Sequence, residues 1–176
     1  MDFAKTIDRL AREKQFNDAY ELAVQWTEEF PQEAKAWGKL GNVYSQQGRH
    51  TEAVSAYEHA AHLNPADPVA CFKLGQTRHR LQDFAGAAEA FGKCEAAAEA
   101  VGESADQYAG ASILGAAYCF AKLGDAAGAR EALERAHDDD SSSLSGSAQN
   151  KAEVAKAVEM ALAAPRVAPV VKKAVF

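Results

Sequence analysis

The sequence is short of the features that mark membrane proteins, secreted scaffolds and most enzymes. No stretch approaches the roughly 18 consecutive apolar residues of a membrane span. The opening segment MDFAKTIDRLAREKQF carries charges where a signal peptide would carry its apolar run, so a cytoplasmic chain is expected. Cysteine is limited to 3 residues, Cys71, Cys94 and Cys119. An odd number without C-x-x-C spacing indicates neither a disulfide framework nor a zinc knuckle, and these thiols read as reduced, buried, small apolar side chains. Excess positive charge is missing too. A net charge of -6 and a pI near 5.4 argue against nucleic acid or an anionic membrane surface as partner. The chain has no phosphate-binding glycine loop, no G-x-S-x-G elbow and no His-Glu pair of metalloprotease spacing. No catalytic residue, cofactor or metal is therefore assigned. His59 and His62 come nearest to a metal pair, being three apart on one helical face, but their register turns both outward and they read as solvated.

Proline is scarce, with 5 residues, and two of them, Pro31 and Pro65, stand 34 apart. The same interval separates Ala19, Ala53 and Ala87, Leu40 and Leu74, Gly41 and Gly75, and Tyr57 and Phe91. A fixed period of this length signals stacked supersecondary units. Small residues at fixed positions let two helices approach closely, while Trp37, Leu40, Tyr44 and Tyr57 fill the space beside them. Over residues 34 to 67, positions 37, 40, 41 and 44 follow helical spacing, Gly48 permits a turn, and 53, 57 and 60 resume the spacing until Pro65 ends it. Each unit is thus a helical hairpin whose apolar face needs a stacked neighbour. No alternating apolar run appears, so no sheet is expected.

The set Trp37, Leu40, Gly41, Tyr44, Gly48, Ala53, Tyr57, Ala60 and Pro65 resembles a complete tetratricopeptide repeat (TPR). The unit at 68 to 101 is similar through Leu74, Gly75, Ala87 and Phe91, with Cys71 in place of the large aromatic and Gln82 in place of the turn glycine. In residues 1 to 33, Phe3, Leu10, Ala19 and Pro31 fit, while Ala23 and Trp26 exchange the usual large and small positions at roughly constant volume. A fourth unit, 110 to 143, is carried by Ile113, Phe120, Gly124, Ala129, Leu133 and Ala136. Ala129 follows Ala87 by 42 residues, so eight are inserted, GESADQYA at 102 to 109. Gly102 can end one helix, and Ser104 with Gln107 forms a capping-box signature that starts the next one early, which implies two lengthened helices.

Beyond the repeats, HDDDSSSLSGS at 137 to 147 has linker composition. Residues 147 to 164 read as a helix started by an Asn150 and Glu153 capping box, with Val154, Val158 and Leu162 on one stripe, covering the last repeat face. Residues 165 to 176 form a proline-broken, valine-rich tail, expected to be flexible alone and to dock on a partner or a second copy, giving a possible homo-oligomer. The fold implied is an all-α, right-handed α-solenoid of about four TPR-like hairpins, residues 1–143, with a C-terminal capping helix.

The first helices of the two central repeats, 34 to 47 and 69 to 82, hold Lys35, Lys39, Lys73, Arg78 and Arg80 and no acidic residue, whereas acids concentrate in the second helices. The resemblance implies that first helices line a concave surface, making it more positive than the protein as a whole. Carried over by position, the groove residues are Arg12; Lys35, Asn42 and Gln46; Phe72, Lys73, Gln76, His79 and Arg80; and Leu114, Tyr118 and Lys122. Amides suit a peptide backbone, the cations suit carboxylates, and Phe72 with Tyr118 offers anchoring area. The co-chaperones that clamp acidic C-termini of heat-shock chaperones use fixed lysine, asparagine and arginine positions. Asn42 matches one of these, while Ala4, Asp8, Ala111 and Gly115 depart from the set, so that role is not implied.

The function expected is a non-enzymatic protein-protein interaction module, an adaptor or chaperone holding an acidic or C-terminal peptide segment of another protein. A few such repeats plus a closing helix also look similar to the translocator chaperones of type III secretion. The alternative is a structural protein whose repeats self-associate.

Overall fold

A computed structural model of the chain describes residues 2–102, 106–137, 141–142 and 149–163. They form helices α1 (Phe3–Arg12), α2 (Phe16–Glu29), α3 (Ala34–Gln46), α4 (His50–Leu63), α5 (Pro68–Arg80), α6 (Phe84–Val101), α7 (Asp106–Leu123), α8 (Ala126–Arg135) and α9 (Lys151–Ala163). The order is that of four helical hairpins and a ninth helix, an all-α solenoid. α6 and α7 are the lengthened pair, with 18 residues each, and Gly102 ends α6 at φ 86°. The capping box expected at Ser104 lies in part outside the described residues, as does most of the linker. The tail at 165 to 176, with its expected self-association, lies wholly outside them.

Each hairpin turn is the same device. The turn residue adopts a left-handed conformation at Lys14 (φ 60°), Gly48 (76°), Gln82 (62°) and Gly124 (77°). The following amide then reaches back five residues: Gln15 N to Leu10 O, Arg49 N to Tyr44 O, Asp83 N to Arg78 O and Asp125 N to Phe120 O, each at 2.9 Å. This satisfies a helix-end carbonyl that would otherwise be orphaned. After the last two of these turns the next helix is capped by an aspartate, Asp83 for α6 and Asp125 for α8, which accept from the amides of Gly86 and Gly128 at 3.0 Å; α5 is capped likewise by Asp67, which accepts from Val69 at 2.9 Å, with Pro68 in the first turn.

Small-against-aromatic packing holds each hairpin shut. A Cβ placed on Gly41 would sit 2.6 Å from Cε1 of Tyr57, and one on Gly75 would sit 2.6 Å from Cε1 of Phe91. Phe91 is covered on its other edge by Gly115 of α7, where a Cβ would come within 2.8 Å. Separate clusters of buried residues lie between successive hairpins: Ile7, Ala23, Trp26 and Leu40 at the first, and Phe72, Phe91, Cys94 and Cys119 at the third. Val154 and Val158 of α9 close the last cluster against Leu114, Ala117 and Ala132. α9 begins with a reciprocal cap, Glu153 N donating to Asn150 Oδ1 (3.0 Å) and Asn150 N to Glu153 Oε2 (3.3 Å).

One local feature departs from the helical expectation. Residues Ser141–Ser142 (β1) and Gln149–Asn150 (β2) pair antiparallel, Ser141 with Asn150 and Ser142 with Gln149. Two residues per strand are too few for a sheet of independent stability. The pairing draws the chain back so that α9 can return onto α7 and α8.

Candidate functional site

The register that builds the hairpins also builds a pocket. Along α3, residues 39, 42 and 46 lie on one helical face, and their equivalents one repeat later on α5 are 73, 76 and 80. Lys39, Asn42 and Gln46 therefore stand beside Lys73, Gln76 and Arg80. Together with Ile7, Asp8 and Ala11 of α1 they line a pocket of about 340 Å³ that crosses the first helices of three repeats.

Tyr57 closes the floor of this pocket from α4. Its hydroxyl donates to Asn42 Oδ1 at 2.8 Å, and burial pushes its phenol far above the usual tyrosine range. With that oxygen engaged, Asn42 has its amide NH₂ left to offer as donor. Lys73 Nζ lies 3.5 Å from Gln76 Oε1. Burial, and then the nearby guanidinium of Arg80, lower the pKa of Lys73 below the usual lysine value. Neither Lys73 nor Arg80 forms an ion pair with a described carboxylate. Two like charges thus share this corner of the pocket with no carboxylate counter-ion among the described residues, and it attracts an anion.

The other cations divide differently from the sequence expectation. Lys39 pairs with Asp8 of α1. Arg78 points away from the pocket: it pairs with Glu58, donates to Gly86 O at 3.1 Å and approaches Asp83 at 3.8 Å. It lines a separate, mainly apolar hollow between α4 and α6. Lys35 lies at the outer edge, in a hollow with Phe3, Trp26 and Phe30. Arg12 is exposed in the last turn of α1 and donates to Asp8 O at 3.2 Å.

Of the expected groove residues, Asn42, Gln46, Lys73, Gln76 and Arg80 share the pocket. Tyr118, His79 and Lys122 make a neighbouring patch on α5 and α7. The His79 ring meets Tyr118 edge-on at 5.4 Å, and Lys122 Nζ lies 5.2 Å over the Tyr118 ring. Burial first, then Lys122 and Arg80, lower the His79 pKa, which favours neutral imidazole. Two residues are corrected. Phe72 is 9% exposed and packs on Phe91 and Tyr108, because the lengthened α6 and α7 cover it. Leu114 is fully buried among the residues that receive α9. Neither can offer anchoring area to a ligand.

Asp8, Lys39, Ser45, Tyr57 and Thr77 line the pocket but were absent from the expected set. The signal for Lys39 was available, since it stands 34 residues before Lys73. His59 stacks on Trp37 at 4.4 Å. Among the described residues no group of three or more histidine, cysteine or acidic side chains is placed to hold a metal ion, and no helix is long and apolar enough to cross a membrane.

Residues 34–67 and 111–143 each match a family model described as tetratricopeptide repeat. No curated protein matches the chain in a sequence search. Several solved structures are similar in fold. PcrH in complex with the chaperone binding region of PopD aligns with a TM-score of 0.64 at 17% identity, covering 69% of this chain and 90% of that one. A T3SS complex from Aeromonas hydrophila gives 0.65 at 16% identity, covering 69% and 80%. The Sgt2 TPR domain from Aspergillus fumigatus gives 0.60 at 23% identity, covering 70% and 78%. Repeats of this kind serve as protein-interaction modules, and no catalytic family is indicated. Residues 34–67 and 111–143 are thus tetratricopeptide repeats, and the described residues share the helical solenoid fold of proteins built from such repeats.

Proposed function

We propose that the protein is a non-enzymatic cytoplasmic adaptor or chaperone whose groove across α1, α3 and α5 holds an acidic segment, or a C-terminal carboxylate, of a partner protein. The observation that carries this reading is the Lys73 and Arg80 pair, lacking a carboxylate partner among the described residues and lining one pocket with Asn42, Gln46 and Gln76. In this arrangement Arg80 grips a carboxylate through its planar fork, Lys73 adds a point charge, and the amides meet the peptide backbone. Tyr118, whose ring meets that of His79, the residue before Arg80, supplies apolar surface beside the groove. Support also comes from the similar fold of PcrH, seen in complex with the chaperone binding region of PopD.

The test is fluorescence anisotropy with labelled peptides that differ only by glutamate against glutamine. The glutamate peptide is expected to bind more tightly, and Arg80→Glu to weaken it by about tenfold or more, as for a charge-assisted contact replaced by like-charge repulsion. Equal affinity for both peptides, unmoved by Arg80→Glu, overturns the reading.

A further inference from the structure

We infer that Asp8 sets the selectivity of this groove: by holding Lys39 in an ion pair it restricts the pocket to one seated carboxylate, on Lys73 and Arg80, and turns away segments carrying a second acid opposite Lys39. The inference rests on the groove reading above and deepens it.

Lys39 and Lys73 occupy the same register position on adjacent repeats, 34 residues apart, and line the same pocket. By position alone they would be equivalent anion sites. Their surroundings differ because Asp8 stands where the next two repeats carry the amides Asn42 and Gln76. A carboxylate in that place reaches across from α1 to α3, and its Oδ1 lies 2.5 Å from Lys39 Nζ. The lysine side chain keeps 20% of its exposure and the aspartate 51%, so the negative end of the pair is the one presented to an arriving ligand. Lys73 has no such carboxylate neighbour among the described residues.

Lys39 and Lys73 line one pocket from the first helices of adjacent repeats, a spacing on the order of one helix diameter, about 10 Å. Lys39 and Lys73 would therefore suit two acids separated by about three residues of extended chain, which advances about 3.3 Å per residue. A second acid in that place meets Asp8 as a like charge before it reaches Lys39. An amide, a hydroxyl or a base meets no such repulsion. The device is selection by a built-in repulsive element rather than by an added contact.

The test uses the full chain and two acetylated, amidated, fluorescent glycine-serine peptides, one with a single glutamate and one with two glutamates three residues apart. Asp8→Asn keeps the shape and removes the charge. It is expected to tighten the two-glutamate peptide about tenfold and the one-glutamate peptide by less than about threefold. The selective gain is expected to disappear in Asp8→Asn combined with Lys39→Met. An equal gain for both peptides, or a gain that survives loss of Lys39, overturns the role of Asp8. If Arg80→Glu abolishes wild-type binding while Asp8→Asn brings no selective gain, the selectivity inference alone fails. If neither peptide binds wild type or Asp8→Asn, or if Arg80→Glu changes nothing, the groove reading fails and takes the inference with it.

Discussion

At the scale of single residues, the glycines separate into those that hold helices together and those that merely interrupt them. Gly75 and Gly115 flank the Phe91 ring at distances a side chain cannot share, whereas Gly38 and Gly92 have nothing within 4 Å of an added Cβ. Gly75→Ala and Gly115→Ala are each expected to destabilise by about 1–3 kcal/mol through overpacking. Gly92→Ala, in the interior of α6, is expected to stabilise by about 0.5–1 kcal/mol by relieving the entropy cost of glycine in a helix. Urea titrations of the three variants check both signs, and a loss at Gly92 would overturn the distinction. The cysteines give a second residue-scale prediction. Burial pushes the Cys94 thiol up to about 11 and the Cys119 thiol up to about 12. An acid raised on folding contributes stability that is whole below its unfolded pKa, about 8.5, and is lost as the pH climbs above it, because the unfolded chain then ionises first. Stability is expected to fall above about pH 8.5, with less of a fall in Cys94→Ala combined with Cys119→Ala. Unchanged slopes in that variant would place the effect elsewhere.

At the scale of the helical elements, the four hairpin turns share one backbone geometry but not one residue. Two are glycine, while Lys14 and Gln82 are held at positive φ, where a Cβ crowds the following carbonyl at a cost of about 1–2 kcal/mol. Gln82→Gly is therefore expected to raise stability by about 0.5–1 kcal/mol after the added flexibility of the unfolded chain is counted. Thermal unfolding checks it, and a fall in melting temperature would mean that the Gln82 side chain contributes more than the strain costs. The turn positions were legible in the sequence as the interval of 34 and its stretch to 42. The length of α6 and α7 was legible from the inserted octet. The two-residue pairing before α9 was not, because Ser141–Ser142 and Gln149–Asn150 meet through backbone atoms that carry no side-chain signature.

At the scale of the whole molecule, buried clusters lie one behind another along the solenoid, each formed where neighbouring hairpins stack. α9 covers the last of them with Val154 and Val158. Val154→Asp is expected to expose that face and lower the melting temperature while leaving peptide affinity at the pocket between α1 and α5 within about twofold, since distant sites act almost independently. The same distance separates charge from stability. Raising the salt from low to high is expected to weaken acidic-peptide binding steadily, because Arg80 is exposed and its field is screened. Salt-independent binding would move the ligand out of this groove.

By itself the sequence determined the repeat, its register and the hairpin turns, because helix packing requires small and large residues at fixed intervals and those intervals survive in the letters. It also brought Asn42, Gln46, Lys73, Gln76 and Arg80 onto one surface, since residues that share a register share a face. Tertiary structure decided which charges on that surface remain open. Arg78 turned to Glu58, and Lys39 was neutralised by Asp8, contacts between helices that no local pattern records. It also decided that Phe72 and Leu114 are core rather than groove. Whether an apolar side chain on a first helix meets solvent depends on how far the next hairpin extends over it, and α6, α7 and α9 extend further here than the repeat alone requires.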